Sequence, residues 1–174
     1  MNIKENLIEF SDLLLLKHID DMMKINEALF KLNDFCKANR IEYMVTGTTA
    51  LAMLGVPSNP QDIDIKVFHL KEEQEAKLKE LQFLSGLGNE NYEGGKCYSF
   101  VIGEVKINAI IDKTESYDEI ISKEVILDII DEPHAKHHFI GVQLVAFALK
   151  DKMKLRRDKD KTYMLNLIAY LTSL

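Results

Sequence analysis

Cysteine is scarce in this chain. Cys36 and Cys97 are the only two, far apart and in no metal-ligating spacing. That excludes a framework of several disulfides and a cysteine-based zinc site, leaves a single disulfide open, and makes reduced thiols in a cytoplasmic protein the expectation. Long apolar runs are missing too, so no membrane span is predicted. The N-terminal MNIKENLIEF has no positive region followed by an apolar stretch, and no signal peptide is expected. Positive charge is in the minority, with 22 Lys and Arg against 28 Asp and Glu and a net charge of −6. An acidic balance of this kind argues against broad, non-specific nucleic-acid binding.

What the chain does have is enough apolar residues for a core. Of its 174 residues 47% are hydrophobic, which suits one domain spanning 1–174. Met22, Ile25, Leu29, Leu32 and Cys36 recur at helical spacing, so residues 1–40 read as a helical extension. A core over 41–130 follows. It reads as strand 41–45, helix 48–54 with Gly55 as a C-cap, a loop with two prolines, strand 62–68 and a charged helix over 71–83. A polar, glycine-rich connection over 86–95 leads to a hairpin of strands 96–102 and 104–111, then a short helix 117–122 and a strand 125–130. From Gly141 the pattern reads as helical to residue 174, with a break at Arg157-Asp158. These elements predict an α+β fold, a small mixed sheet flanked by helices.

Chemistry concentrates in two places. The first is Thr46-Gly47-Thr48-Thr49-Ala50-Leu51 followed by Asp62-Ile63-Asp64-Ile65. Residues two apart on a strand share a face, so Asp62 and Asp64 point one way and Ile63 and Ile65 the other. Adjacent carboxylates repel unless a cation lies between them, and a hard divalent ion takes oxygen ligands of this kind. Gly47, just after the preceding strand, lets backbone approach a phosphate closely. Thr48 can bond a phosphate oxygen or cap the helix that follows. The second place is KDKMKLRRDKDK over 150–161. It holds seven Lys and Arg against three Asp, a local charge of +4 in a chain whose remainder sums to −10. Such a patch suits a small anionic ligand better than a long duplex. It also reads as basic residues pairing with Asp158 and Asp160.

The run VTGTTALAMLGVPSNPQDIDI resembles the nucleotidyltransferase superfamily fingerprint: a glycine followed by Gly or Ser, where Thr48 stands here, a short helix, then Asp-apolar-Asp-apolar. It is most similar to bacterial stand-alone nucleotidyltransferases of the abortive-infection toxin and antibiotic-modifying kind. The resemblance is strongest over 43–68. Lys152, Arg157, Lys159 and Asp160 look like the Lys…Arg-x-Lys-Asp element those proteins carry after the core. The resemblance implies the same α+β fold and a nucleoside triphosphate as ligand. Asp62 and Asp64 are the implied ligands of magnesium or manganese, with Gly47, Thr48, Lys152, Arg157 and Lys159 near the phosphates. The implied acceptor is a hydroxyl on a small molecule, a tRNA or a protein, and an antitoxin-like protein partner is a further implication.

One departure stands out. The family supplies a third acid from a neighbouring strand, and the matching segment here, VKINAIID, puts Asn108 at that position. An amide oxygen can ligate a cation, but it carries no charge and takes no proton. Glu104 and Asp112 are each four residues away, about 13 Å along a strand, too far for a simple exchange. The resemblance therefore implies either a metal-dependent transferase or a weakened nucleotide-binding relative. The loop before Asp62 also lacks the arginine that many relatives carry. Elsewhere, His134, His137 and His138 follow Pro133 and read as a surface turn rather than a zinc site. The 86–95 loop matches no phosphate-loop pattern and reads as a connection.

Overall fold

The strand over Asp62–Phe68 alternates isoleucine and valine with polar residues, and the two sets part cleanly across a six-stranded sheet. The structure is a computed structural model, and it describes residues 3–88, 95–113, 115–155 and 157–173. The chain runs α1 (Ile3–Ala38), β1 (Glu42–Thr46), α2 (Gly47–Met53), β2 (Asp62–Phe68), α3 (Glu72–Leu84), β3 (Gly95–Ile102) and β4 (Val105–Asp112). It continues through α4 (Tyr117–Ile121), β5 (Glu124–Asp131), a single 3-10 turn (Glu132–His134), β6 (Lys136–Gln143), α5 (Val145–Leu155) and α6 (Asp158–Ser173). The sheet order is β3-β4-β2-β1-β6-β5. β1 runs antiparallel to β2, whereas β2–β4 and β1–β6 are parallel pairs, so the sheet is mixed.

One face carries the core. Val45, Ile63, Ile65, Phe100, Ile107, Ala109, Ile140 and Val142 are almost wholly buried there. α1 packs across β1, β2, β3, β4 and β6 on this side with Ile25, Ala28, Leu29, Leu32 and Cys36, the stripe read from its 3.6-residue period. α3 lies against β3 and adds Leu78. On the other face Met44, Phe68 and Ile120 form a smaller cluster under α4. Among the described residues no helix is long and apolar enough to cross a membrane.

Local chemistry sets the element ends. α2 stops where Gly55 adopts φ +81°; its N–H bonds the carbonyl of Ala52 and that of Val56 bonds Leu51. This is the paired C-terminal motif that a left-handed glycine permits. α4 starts at Ser116, whose hydroxyl accepts from the Glu119 N–H while the Glu119 carboxylate accepts from the Ser116 N–H. α5 and α6 part at the break read around Arg157-Asp158.

The structure corrects the reading after residue 130. Lys136–Gln143 is a strand, not a turn leading into a helix, and the sheet extends to residue 143. His138, Ile140 and Val142 alternate onto the core face. Pro133 masked this period by marking a turn that spans only three residues. The histidines part accordingly. His134 is exposed and bonds Asp131, and His137 is exposed beside Asp128. His138 is buried, stacked on Phe30 and bonded to Asn33, and burial lowers its pKa. Most of the glycine-rich 86–95 connection, residues 89–94, lies outside the described residues.

Candidate functional site

Asp62 and Asp64 share the sheet face opposite the main core, at the floor of a cleft of about 1210 Å³. α1 contributes His18 and Met22 to its walls, the loop after α2 contributes Pro57 to Gln61, and α5 and α6 close the far side. The register explains the gathering. Thr46, Asp64, Asn108 and Ser99 lie in one row across β1, β2, β4 and β3. Asp62 is opposite Lys106 in the neighbouring row. Parallel pairing of β2 with β4 thus carries Asn108 beside the two carboxylates, although 44 residues separate it from Asp64.

Contacts within the row are specific. The Asn108 Nδ2 donates to Asp64 Oδ1 at 2.8 Å and reaches Asp62 Oδ2 at 3.4 Å. Its Oδ1 accepts from the Ser99 hydroxyl at 2.8 Å. Two carboxylates facing an amide oxygen would repel it, so the nitrogen side faces them. Burial, then the charge of Asp62, raises the Asp64 pKa; the Asn108 bond and the charges of Lys152 and Arg157 act the other way. Of the two alternative acids, Glu104 is at the β3–β4 turn, paired with Lys24 of α1 at 2.7 Å. Asp112 is at the far end of β4, opposite Gly95.

Gly47 is there for geometry. Its φ is +67°, and a Cβ would lie 2.9 Å from Asp64 Oδ2. Only glycine takes this turn cheaply and leaves the carboxylate room. Threonines tie the turn to β2: Thr49 Oγ1 donates to the Asp62 carbonyl at 2.7 Å and Thr46 Oγ1 to the Asp64 carbonyl at 3.3 Å. Thr48 does not cap α2, since the cap position falls at Thr46. Its hydroxyl accepts from Lys152 Nζ at 2.8 Å and faces the cleft.

The basic segment forms one wall, and it is tied together by Asp160. Lys152 is nearly buried, 3.6 Å from Asp160 Oδ1 and 5.3 Å over the Tyr163 ring. Arg157 grips the same carboxylate with Nε at 2.5 Å and Nη2 at 3.2 Å. Burial opposes ionisation of Asp160, but the Arg157 bonds and the charges around it hold its pKa below the usual range. Lys159 is exposed and lines the cleft. Asp158 pairs instead with Lys161. Residues of this segment that line the cleft are therefore also paired among themselves.

Sequence reasoning missed Ser99, Lys106, His18 and Tyr163. A lone serine in the apolar CYSFV carries no signal until the register sets it opposite Asn108. A second polar cluster also went unread. On the same face as Asp64, Lys66 donates to Glu115 at 2.7 Å, Lys123 donates to Glu115 as well, and Gln143 donates to Asp151 at 2.9 Å. Asp151 is 3.9 Å from Lys66, so this cluster anchors α5 to the sheet one residue before Lys152.

No protein-family model matches the chain, and neither does any curated protein. Solved structures do. A Thermotoga maritima protein described as a candidate nucleotidyltransferase is 18% identical with a TM-score of 0.54, over 84% of this chain and 93% of that one. An antigenic nucleotidyltransferase-like protein from Paracoccidioides brasiliensis is 12% identical with a TM-score of 0.46, over 86% of this chain and 74% of that one, too slight a likeness to argue from. The first match covers most of both chains, and the mixed sheet with flanking helices seen in this chain is the architecture expected from the sequence. The chain has the fold of the nucleotidyltransferases.

Proposed function

We propose that this protein transfers a nucleoside monophosphate from a nucleoside triphosphate to an acceptor hydroxyl, with a divalent cation. The observation that carries this reading is the joint placement of Asp62 and Asp64 beside the Gly47 turn, facing Arg157 and Lys159 across one cleft. Two carboxylates are hard oxygen donors and fit magnesium or manganese. Among the described residues no group of three His, Cys, Asp or Glu assembles, so the remaining ligands would come from the triphosphate and water. Bound there, the cation supplies Lewis-acid polarisation of the phosphoryl oxygens.

The chain's own residues do the rest. Gly47 and Thr48 bring backbone and hydroxyl close to the phosphates. Lys152 holds Thr48 in place, and Arg157 and Lys159 face the triphosphate tail, Arg157 with a fork that suits phosphate oxygens. The cleft exceeds the volume of an ordinary small-ligand pocket, roughly 300–1,000 Å³, and so has space for donor and acceptor together.

A second reading, nucleotide binding with little transfer, is favoured by one observation. Asn108 stands beside the carboxylates where it can accept no proton. Thermal unfolding with each nucleoside triphosphate, with and without magnesium, tests the shared part of both readings. Binding is expected to stabilise the protein by about 2.7 kcal/mol at a hundredfold excess over Kd. The double change Asp62→Asn, Asp64→Asn is expected to abolish the magnesium dependence. No shift with any triphosphate would refute both readings; where a shift is seen, pyrophosphate release separates them.

A further inference from the structure

We infer that Asn108 is a built-in stand-in for the cation, so that a divalent ion enters this site only together with the triphosphate. The inference rests on the metal-binding role proposed for Asp62 and Asp64. Two adjacent carboxylates in a partly buried site need a positive partner. Here the partial positive charge of an N–H₂ group faces them, 2.8 Å from Asp64 and 3.4 Å from Asp62, with the charges of Lys152 and Arg157 also acting on Asp64. Asn108 is 8% exposed and Ser99 1%, so the amide works where water screens little. The Ser99 hydroxyl satisfies the amide oxygen from behind, which leaves the group fully bonded with no ion present.

A divalent ion arriving alone must displace these N–H bonds or turn the amide over. It gains two carboxylates and loses the donor already bonded to them. Ser99 permits the turn without forcing it, because a hydroxyl that donates to the amide oxygen can equally accept from the amide nitrogen. A triphosphate changes the balance by bringing its own anionic oxygens, which create a demand for positive charge that a neutral amide dipole cannot meet. Binding is then ordered, with the ion and nucleotide entering as a pair. A third carboxylate at position 108 would act in the opposite sense and hold the ion before nucleotide arrives.

The test is manganese binding to the full chain, followed by electron paramagnetic resonance, first without nucleotide. The wild type is expected to bind manganese alone weakly. Asn108→Asp is expected to bind it at least tenfold more tightly. Asn108→Ala is the decisive variant, because alanine offers no ligand. If the amide stands in for the ion, its removal strengthens manganese binding by threefold or more. If Asn108 is an ordinary ligand, Asn108→Ala binds manganese more weakly than wild type, and the inference is overturned. Wild-type binding of manganese alone as tight as that of Asn108→Asp would overturn it too. Thermal unfolding in chelator gives a second readout. Asn108→Asp should be less stable than wild type without metal and recover on adding manganese; greater stability in chelator would contradict the amide's role. Absence of manganese binding in Asn108→Asp, Asn108→Ala and nucleotide-loaded wild type alike would instead sink the metal-site reading beneath it.

Discussion

Replacing Gly47 by alanine probes the turn and the carboxylate at once, and Gly55 provides its control. Both glycines have positive φ, +67° and +81°, so alanine at either is strained. That strain costs about 1–2 kcal/mol. Nothing lies within 4 Å of a Cβ at Gly55, whereas at Gly47 it would meet Asp64 Oδ2 at 2.9 Å. Asp64 must then swing away and give up its bond to Asn108, a hydrogen bond to a charged group worth about 1.5–3 kcal/mol. Gly47→Ala should therefore cost about 2.5–5 kcal/mol and Gly55→Ala about 1–2 kcal/mol. In a chain of this size each kcal/mol lowers Tm by about 2–4 °C, so the two variants are separable by calorimetry. A double-mutant cycle completes the argument. In an Asp64→Ala background the extra cost at Gly47 should disappear and leave only the backbone strain. If Gly47→Ala costs no more than Gly55→Ala, or if Asp64→Ala brings no relief, the close approach is not what demands glycine there.

Two further predictions address charge. Arg157→Ala with Lys159→Ala should weaken triphosphate binding more than nucleoside binding, with the difference shrinking as salt rises, because both side chains face solvent; equal losses for the two ligands would mark these residues as structural. Burial opposes ionisation of Glu115, yet its bonds to Lys123 and Lys66 outweigh that and pull its pKa from 4.5 to about 2. A lowered carboxyl pKa gives stability that is present above the unfolded value and lost as pH falls through the folded one. Glu115 should thus contribute at most about 3 kcal/mol, lost between about pH 4.5 and 2. Denaturant titrations across that window should show a shallower acid loss in Glu115→Gln than in wild type, and parallel curves would refute the contribution.

Which parts of this were legible in the sequence follows from the range of the interactions involved. The alternation in DIDIKVF and the helical stripe of α1 are local periods, and both appear as read. The Gly47 turn was legible because positive φ and close approach admit so few residues. The strand Lys136–Gln143 was not, because Pro133 and two adjacent histidines look like a turn and His138 is buried through partners on distant elements, Phe30 and Asn33. Asn108 could be aligned by resemblance, yet its bonds needed the register of β2 with β4, and Ser99 needed β4 with β3 as well. The basic segment shows a different limit. Composition found the charge, but the hold of Asp160 on Lys152 depends on how α6 packs against α5, whereas its bond to Arg157, three residues away, is local.

The parallel pairing of β1 with β6, which joins Val45 to Val142, also sets an order of assembly. Pairing between residues so distant carries a large loop-closure cost and forms late. Gly47, Asp62, Asp64, Asn108 and Ser99 all belong to elements that precede residue 113, whereas Lys152, Arg157 and Lys159 come after β6. During synthesis, which proceeds from the N-terminus, the acidic floor of the cleft can form while its basic wall is still unmade. Until β6 arrives, β1 is an uncovered strand edge with free N–H and C=O groups, the kind of surface that pairs with other chains. The last third of the polypeptide therefore protects a growing chain from aggregation as well as completing its cleft, and lesions in β6 should lower the yield of soluble protein before they touch any ligand.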